Sequence, residues 1–331
     1  MIGLPSWRVT RERGVLMDAS HPVILFYKYV PIADPAAFVE AQRALCTELG
    51  LKGRILIAAE GINGTLAGPR SETSRYTAAL RSDPRFSDIE IKESPGGSEA
   101  FPRLVVKVRP EIVTLGAGVE LQPDHDNHLS PAEWKRTLEE EPDTVVIDVR
   151  NRYESAIGRF ENAIACDIDN FRELPGYVEQ LSDFKDRKVL MYCTGGIRCE
   201  KASALFRRKG FKNVFQLHGG IQTYQREFGN AHWLGECFVF DNRMTVRVED
   251  NLRQVGKCAH TGVPTARFVN CANDDCHKLF ILDEQAEHAH PEYRFCPECL
   301  AAGVDQSKLP AAASPAAASA SGGAAPPAAR T

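Results

Sequence analysis

Hydrophobic and polar residues follow two different spacings from His21 onwards, and these spacings predict strands and helices in turn. Apolar runs typical of strands occupy Val23–Val30, Arg54–Ala59, Thr65–Ala67, Ile89–Glu93 and Arg103–Leu115. Helical patterns occupy Pro35–Leu49 and Ser71–Leu80. The turn Gly61–Gly64 contains Asn-Gly, a strong hairpin signal, between the second and third strands. The order β-α-β-β-α-β predicts a ferredoxin-like sandwich over residues 21–120.

A different pattern follows the polar stretch Gln122–His128. Apolar strands are predicted at Thr144–Val149, Lys188–Tyr192 and Asn213–Leu217, and helices at Pro131–Glu140 and Glu200–Lys209. Continuous apolar strands that alternate with helices are typical of a parallel sheet covered on both faces. We therefore expect a second domain over residues 126–235, in a multidomain α/β protein.

The other segments lack this periodicity. Residues 1–20 are polar and aperiodic, which predicts a flexible N-terminus, and Met17 is an alternative start. Residues 236–305 carry cysteines with little regular pattern, which predicts an irregular C-terminal segment. Residues 306–331, rich in Ala and Pro, are predicted to form a disordered tail because such a composition cannot bury a core.

Composition and charge limit the function. Hydrophobic residues make up 43% of the 331 residues and charged residues 25%, as in a soluble protein with a sizeable core. No apolar run reaches the length of a membrane helix and no signal peptide opens the chain, so we expect a cytoplasmic protein outside the membrane. The formal charge of −4 means that a nucleic-acid partner would have to meet a local basic patch.

Ten cysteines in a chain of this kind are expected to be thiols, metal ligands or catalysts rather than a disulfide framework. Cys193 follows an apolar strand and opens a loop of Thr194, Gly195, Gly196, Ile197 and Arg198. The amides of a glycine-rich turn, the N-terminus of the next helix and the charge of Arg198 all favour the thiolate, the nucleophilic form of cysteine. The loop predicts a reactive cysteine; the alternative is a buried cysteine beside glycines that only turn the chain.

The spacing within the loop separates two classes of cysteine enzyme. Cysteine-dependent phosphatases follow the pattern Cys-x5-Arg, whereas four residues separate Cys193 from Arg198 here, and position 199 is Cys. The smaller ring suits a single terminal sulfur atom better than a phosphate group. A phosphatase is therefore disfavoured.

Further residues accompany the loop on both sides. They are Asp148-Val149-Arg150, Glu154 and Gly158 upstream, and Gly219-Gly220 downstream. Together with Cys193–Arg198 they resemble a rhodanese (sulfurtransferase) domain, which implies that Cys193 carries a persulfide and that Asp148 and Arg150 brace the active loop. A surface-edge ion pair or strand cap is the alternative for Asp148 and Arg150, and we interpret Gly219 and Gly220 as tight-turn residues.

The segments that flank this domain are more specific. They read RILIAAEGINGT at 54–65, KVRPEIVTLG at 107–116 and CFVFD at 237–241. These motifs closely resemble the TrhO (YceA) family, and the resemblance extends from about Val23 to Leu300. It implies an acylphosphatase-like N-terminal domain, a central rhodanese domain and a cysteine-containing C-terminal segment.

For function, the resemblance implies a tRNA-modifying enzyme that converts wobble uridine 34 to 5-hydroxyuridine. Molecular oxygen is the implied co-substrate, the tRNA anticodon loop the implied partner and Cys193 the implied catalytic residue. The chain offers no Rossmann context for a nucleotide cofactor and indicates no protein partner. Two alternatives stay open: a thiosulfate or persulfide sulfurtransferase, and a non-enzymatic tRNA-binding protein.

A basic cluster near the loop is a candidate tRNA-binding surface. It consists of Lys201, Arg207, Arg208, Lys209 and Lys212. Such a cluster can neutralise phosphates near the reactive sulfur. The alternative is a solvated helix face with ordinary surface charges.

The C-terminal cysteines form two pairs, Cys271-x4-Cys276 and Cys296-x2-Cys299. Four thiolates satisfy the tetrahedral demand of a structural zinc, and Cys258, His260 or His277 could replace one of them. Reduced thiols without a metal are the alternative, because Cys-x4-Cys is a looser pattern than Cys-x2-Cys.

Overall fold

A computed structural model of the chain describes residues 11–12, 15–16, 18–119, 121, 127–249 and 252–306. The predicted tail from residue 307, the alternative start Met17 and most of the polar stretch 122–128 lie outside these residues. Within the predicted flexible segment 1–20, residues 11–12 and 15–16 pair as short antiparallel strands, and residues 18–20 already belong to a longer strand. Strands therefore occur within the segment predicted to be flexible.

The N-terminal domain follows the predicted order. Its elements are β1 (Arg11–Glu12), β2 (Val15–Leu16), β3 (Asp18–Tyr29), α1 (Pro35–Glu48), β4 (Lys52–Ala58), β5 (Gly61–Ala67), α2 (Arg70–Ser82), β6 (Ile91–Gly96) and β7 (Leu104–Val108). The strand order is β6-β3-β5-β4-β7, with the first four antiparallel to their neighbours and β7 parallel to β4. The ferredoxin-like, acylphosphatase-like arrangement is confirmed, with β7 added at its edge.

The two faces of this sheet have different neighbours. Side chains at alternate positions, among them Ile24, Phe26, Ile55 and Ile57, pack with α1 and α2 into a buried core. The intervening side chains point to the opposite face, towards the second domain, where they form one wall of a cavity.

The predicted hairpin turn is wrong. Asn63 and Gly64 lie inside β5, and the chain reverses at residues 59–60 instead. Asn63 donates from Nδ2 to the carbonyl oxygen of Ile112 at 2.9 Å. A Cβ at Gly64 would lie 2.2 Å from the ring of Phe26. This Asn-Gly pair therefore serves packing and a long-range hydrogen bond rather than a turn.

The last predicted strand of this domain is also too long. The expected strand Arg103–Leu115 ends at Val108, and Pro110, which has no N–H for a ladder, follows soon after. The chain then turns towards the second domain, and Ile112 N–H donates to Glu60 Oε1 at 2.7 Å.

The second domain contains the predicted parallel sheet. Its elements are β8 (His128–Leu129), α3 (Pro131–Glu140), β9 (Val145–Asp148), α4 (Arg152–Ser155), β10 (Gly158–Phe160), β11 (Ile164–Ala165), α5 (Leu174–Tyr177), β12 (Lys188–Tyr192), α6 (Ile197–Arg208), β13 (Asn213–Leu217) and α7 (Gly220–Phe228). The strand order is β11-β9-β12-β13-β8, and every neighbouring pair is parallel. Helix α6 begins at Ile197, three residues before the predicted Glu200.

Both faces of this sheet are covered, as predicted. Val189 and Met191 of β12 pack on the side of α5 and α6, whereas Leu190 and Tyr192 pack on the side of α3 and α7. Each face therefore has its own apolar core. This double cover explains why apolar residues occupy consecutive positions in the central strands.

The C-terminal segment is built from short elements. They are β14 (Trp233–Gly235), β15 (Cys237–Phe238), β16 (Thr245–Val246), β17 (Phe268–Asn270), β18 (Leu279–Ile281), α8 (Glu284–Ala289) and α9 (Pro297–Ala301). β15 pairs with β16 and β17 with β18, each as a small antiparallel hairpin. Across the described part of the chain, every helix falls short of the length and apolar character that a membrane span requires.

Candidate active site

The reactive loop lies at the carboxyl edge of the parallel sheet, between β12 and α6. Cys193 follows the last residue of β12, and α6 begins at Ile197. A cavity of about 420 Å³ lies over this loop, between the two domains. Its N-terminal wall comes from alternate positions on three neighbouring strands, namely Leu25, Tyr27, Arg54, Leu56, Asn63 and Thr65.

Hydrogen bonds fix the loop backbone around the sulfur. The Gly196 N–H donates to Cys193 Sγ at 3.1 Å. From the first turn of α7, Ile221 N–H donates to the carbonyl oxygen of Cys193 at 3.0 Å. Gly220 has a φ of +68°, and a Cβ there would lie 2.6 Å from that same carbonyl oxygen. The tight-turn interpretation of Gly220 therefore agrees with its geometry.

Cys193 is fully buried, and its surroundings make it acidic. Burial by itself raises the pKa of this thiol. The side chain of Cys199, the charge of Arg198 and the backbone amides of both residues outweigh burial and lower the pKa of Cys193 from 9.0 to about 5. The N-terminus of α6 adds partial positive charge. The sulfur is therefore a thiolate at neutral pH, able to act as a nucleophile or to carry a persulfide.

A buried ion pair orients Arg198. Its Nη1 and Nη2 donate to the two carboxylate oxygens of Glu154 at 2.5 and 2.7 Å, and the Glu154 side chain is 0% exposed. The hydroxyl of Thr194 donates to the same carboxylate at 3.3 Å. Glu154 was part of the sequence motif without a role of its own. The adjacency of β9 and β12 is the signal that could have paired it with the loop, since their carboxyl ends meet at one edge.

Asp148 and Arg150 lie beneath the loop. Both side chains are 0% exposed, and Arg150 donates to Asp148 from Nε at 2.8 Å and from Nη2 at 2.6 Å. The hydroxyl of Tyr192, the residue before Cys193, donates to Asp148 Oδ2 at 2.8 Å. The two residues do form an ion pair at the end of β9, but it is buried, so its predicted surface location is wrong. Their predicted bracing of the loop would act through Tyr192.

The N-terminal domain completes the surroundings of the loop. The hydroxyl of Tyr27 donates to Glu200 Oε1 at 3.2 Å, and that of Tyr29 donates to the carbonyl oxygen of Ile197 at 3.3 Å. Gly196 has a φ of +103°, and a Cβ there would lie 2.7 Å from the Tyr27 oxygen. A Cβ at Gly195 would lie 2.8 Å from Leu25. Contact with another domain thus restricts these two positions in addition to the turn itself.

Three family profiles match successive parts of the chain. A UPF0176 acylphosphatase-like domain matches residues 21–112, a rhodanese-like domain matches residues 130–227, and a rhodanese C-terminal domain matches residues 234–300. The cavity draws residues from all three regions: the sheet wall from the first, Cys193 from the second and Phe240 from the third.

Curated relatives match over most of their length. A tRNA uridine(34) hydroxylase of Bacillus pumilus is 44% identical over 280 residues, which cover 83% of this chain and 87% of the relative. One of Corynebacterium kroppenstedtii is 42% identical and covers 85% and 98%, and one of Staphylococcus aureus is 43% identical and covers 81% and 86%. The chain belongs to the tRNA uridine(34) hydroxylase family.

The residues of the basic cluster after the loop do not form one continuous exposed surface. Lys201 is buried, and its Nζ contacts Glu60 Oε1 at 2.8 Å and Glu111 Oε2 at 2.6 Å. The prediction that Lys201 binds a tRNA phosphate is therefore wrong, because this side chain forms ion pairs between α6 and the N-terminal domain. No sequence spacing could have revealed partners so far along the chain.

The other members of the cluster lie at or beyond the far end of α6. Arg208 donates to the carbonyl oxygens of Ala117 and Gly118, Lys209 pairs with Glu179, and Lys212 pairs with Asp186. Arg207 lies beside Arg208 in the last turn of the helix. A helix rises 1.5 Å per residue, so these side chains begin about 15 Å along the axis from Arg198. Their contact with tRNA stays a prediction, and it would have to lie away from the sulfur.

Two kinds of cavity residue were missed as site residues. Arg54 and Arg109 line the cavity and appear above only within the family motifs, and Arg172, which also lines it, lies outside every motif. Phe240 also lines it and was noted only as part of a family motif. These residues are far apart in the chain, and only the packing of the domains brings them together.

The four C-terminal cysteines do come together. The Sγ atoms of Cys271, Cys276, Cys296 and Cys299 all lie within 4.8 Å of one another. Those of Cys276 and Cys296 are 3.8 Å apart. Sulfurs at the corners of a zinc tetrahedron with bonds of about 2.3 Å are about 3.8 Å apart. The donor set and its size therefore fit zinc without Cys258, His260 or His277.

Proposed function

We propose that this chain hydroxylates uridine 34 of tRNA to 5-hydroxyuridine and that Cys193 is the catalytic sulfur. The observation that carries the proposal is an acidic, buried cysteine over which an interdomain cavity opens, in a chain similar to tRNA uridine(34) hydroxylases. The cavity volume of about 420 Å³ is within the range of small-ligand sites and suits one nucleotide. A tRNA substrate places the reaction in the cytoplasm.

The reaction replaces the hydrogen on C5 of uracil with a hydroxyl group. With molecular oxygen as co-substrate, one oxygen atom enters the base and the other leaves as water. Two electrons and two protons from a reductant balance this step. The described residues supply the binding site and the thiolate, and the reductant enters as a separate substrate.

The roles of the loop residues follow from their contacts. Cys193 lines the cavity, and the Gly196 N–H stabilises negative charge on its sulfur. Arg198 adds a full positive charge, and Glu154 holds the guanidinium in place through two hydrogen bonds. These contacts would equally stabilise a persulfide on Cys193.

A sulfurtransferase is the second candidate, and the loop amides favour it because they suit a terminal sulfur. Its substrates are small, whereas this cavity extends over a second domain, whose Arg54 and Arg109 lie along its lining. A small sulfur donor would not need contacts with the N-terminal domain in order to bind. The N-terminal domain therefore supports the tRNA substrate over the sulfur donor.

The decisive measurement is nucleoside analysis of tRNA from a deletion strain that carries wild-type, Cys193→Ser or Cys166→Ala protein. Cys166 is a matched control because it is a buried cysteine of the same domain outside the cavity. We expect 5-hydroxyuridine with the wild type and with Cys166→Ala but not with Cys193→Ser. Loss of a thiolated nucleoside in its place would establish the sulfurtransferase.

We also propose that Cys271, Cys276, Cys296 and Cys299 hold a structural zinc. Two further contacts support the proposal: Asn273 donates from Nδ2 to Cys299 Sγ at 3.3 Å, and Cys296 N–H donates to Cys271 Sγ at 3.3 Å. Hydrogen bonds of this kind orient thiolates around a metal. When bound, zinc would cross-link the segment that carries α8 and α9. Metal analysis of the purified protein tests this, and a stoichiometry near zero in protein prepared without chelators would refute it.

A further inference from the structure

Phe240 is an exposed aromatic residue at the edge of the cavity. It is 54% exposed, and within the described part of the chain the other large hydrophobic residues with comparable exposure are Val108 and Val263. Of these three, Phe240 lines the cavity over Cys193. An exposed aromatic ring at a binding cavity is a common anchor for a flat ligand.

The backbone around Phe240 is held firmly. The residue lies in the turn between β15 and β16, which Val239 N–H closes by donating to the carbonyl oxygen of Met244 at 2.9 Å. Within the same turn, Asp241 and Arg243 form a buried ion pair with an Nη2–Oδ2 distance of 2.5 Å. The exposure of the ring is therefore imposed by an ordered turn.

The same turn is bound to the N-terminal domain. Asn242 N–H donates to the carbonyl oxygen of Ala100 at 2.9 Å, and Arg243 Nη1 donates to Ser94 Oγ at 3.0 Å. Phe240 also covers Arg198, whose Cζ lies 5.6 Å from the ring centroid. The C-terminal segment thus positions an aromatic surface directly beside the catalytic loop.

Besides Arg198, three exposed arginines share this cavity with Phe240. Arg54 belongs to β4, Arg109 follows β7, and Arg172 lies in the short 3-10 helix before α5. All three are exposed, and among the described residues none forms an ion pair with a carboxylate. Unpaired guanidinium groups from three separate segments provide cationic positions around one opening, which suits the phosphates of a single strand of nucleic acid.

We propose that the ring of Phe240 stacks on the base of uridine 34 while Arg54, Arg109 and Arg172 bind the phosphates that flank this nucleotide. The inference rests on the proposed function and adds the residues that recognise the substrate. Aromatic stacking and arginine–phosphate contacts are the two means by which proteins hold single-stranded RNA. A wobble base in an anticodon loop is already unpaired, so it enters the cavity at little unstacking cost.

A binding cycle with two RNAs tests the stacking. The probes are synthetic anticodon stem-loops with either uridine or an abasic site at position 34, titrated against wild type, Phe240→Ala and Phe240→Trp. We expect Phe240→Ala to weaken binding of the uridine stem-loop about 5- to 150-fold, the size of base–aromatic stacking, and Phe240→Trp to restore it. The abasic stem-loop should bind wild type and Phe240→Ala equally. An equal loss for both RNAs would overturn the stacking, because the base would then contribute nothing through Phe240.

The matched control is Val263→Ala, which removes an exposed apolar side chain outside the cavity. It should leave the affinity for both stem-loops unchanged. Circular dichroism and the thiolate absorbance of Cys193 establish that each Phe240 variant keeps its fold and its loop.

The arginines are tested through the salt dependence of binding. We expect Arg54→Gln, Arg109→Gln and Arg172→Gln each to flatten the log–log slope of affinity against salt by about 0.7, the value for one phosphate contact on a single strand. The control is Arg75→Gln in α2, the helix that covers the opposite face of the sheet. Unchanged slopes in all three cavity variants would exclude the phosphate contacts.

Failure of this inference is distinguishable from failure of the proposed function. If the purified protein forms 5-hydroxyuridine but none of the cavity variants changes RNA binding, the recognition residues are wrong and the reaction stands. If the variants change binding as expected but no 5-hydroxyuridine forms, RNA recognition at this cavity stands and the reaction is wrong.

Discussion

Two regions of this molecule concentrate cysteine, and they use it in opposite ways. Around Cys193 the partners of the sulfur are a guanidinium group, backbone amides and one neutral thiol, and together they lower its pKa to about 5. Around Cys271 the partners are three other sulfurs within 4.8 Å. A single stabilised thiolate facing a cavity is a nucleophile, whereas four thiols at one point need a metal cation to ionise together. The difference shows that the neighbours of a cysteine, more than its burial, decide its chemistry.

The largest effect is expected from removal of the nucleophile. Cys193→Ser should reduce 5-hydroxyuridine to background, because a serine hydroxyl is not ionised at neutral pH and cannot carry a persulfide. Hydroxylation of a defined tRNA by purified protein with oxygen and a reductant measures this directly. Far-UV circular dichroism and metal content should match the wild type; a variant that lost its metal would mean that the two cysteine regions are not independent.

A substitution among the four C-terminal cysteines should have the opposite result: metal binding is lost, and the Cys193 thiolate is unchanged. Cys271→Ser should prevent binding of the proposed zinc and destabilise the C-terminal segment, because three thiolates would remain where four are needed. Limited proteolysis after β18 and a metal-release assay report on this change. The ultraviolet titration of the Cys193 thiolate should stay as in the wild type. A changed pKa of Cys193 in this variant would show that the two cysteine regions are not independent.

A smaller but still large effect should follow from unpairing the loop arginine. Glu154→Gln leaves the buried Arg198 without its carboxylate, and loss of one partner of a buried ion pair costs about 3–5 kcal/mol. Urea unfolding measures this loss. Glu139→Gln is the control, since Glu139 is an exposed carboxylate that pairs with Lys135 on the surface of α3. An equal and small loss in both variants would show that the Glu154–Arg198 pair does not stabilise the loop.

The acidity of Cys193 also makes the stability of the protein depend on pH. The pKa of Cys193 is lowered in the folded state, so between about pH 5 and pH 9 the folded protein binds fewer protons at this thiol than the unfolded chain does. The free energy of unfolding of the wild type relative to Cys193→Ser should therefore rise as the pH increases from about 5 to about 9. Unfolding curves of both proteins at several pH values measure the trend. A constant difference would mean that the thiol is not acidic.

The sequence predicted those parts of the site whose residues lie close together in the chain. Cys193, its glycines and Arg198 follow one strand within six residues, and the hydrophobic pattern places that strand in a parallel sheet. The spacing of apolar positions, with continuous apolar strands in the second domain, likewise predicts both domains and most of their elements. The hydrophobic period is a property of each segment, so it needs no knowledge of the partner.

The errors and omissions are long-range. Lys201 looked like a phosphate ligand because Glu60 and Glu111, its actual partners, are distant in the chain. Asn63 and Gly64 looked like a turn because their contacts with Ile112 and Phe26 come from other elements. Phe240 reaches the cavity only after its turn docks on the N-terminal domain. Pairings of this kind depend on how finished domains pack, which no local spacing encodes.

The contact between Tyr27 and Gly196 has a consequence for how the enzyme is made. Tyr27, which covers the reactive loop, belongs to β3, and β3 leaves the ribosome well before Cys193 does. Domains generally fold in the order of their synthesis. When the loop is translated, the surface that will cover it is therefore already folded. The sulfur therefore meets Tyr27 as soon as its own domain has folded, which shortens the time in which a cellular oxidant could reach it.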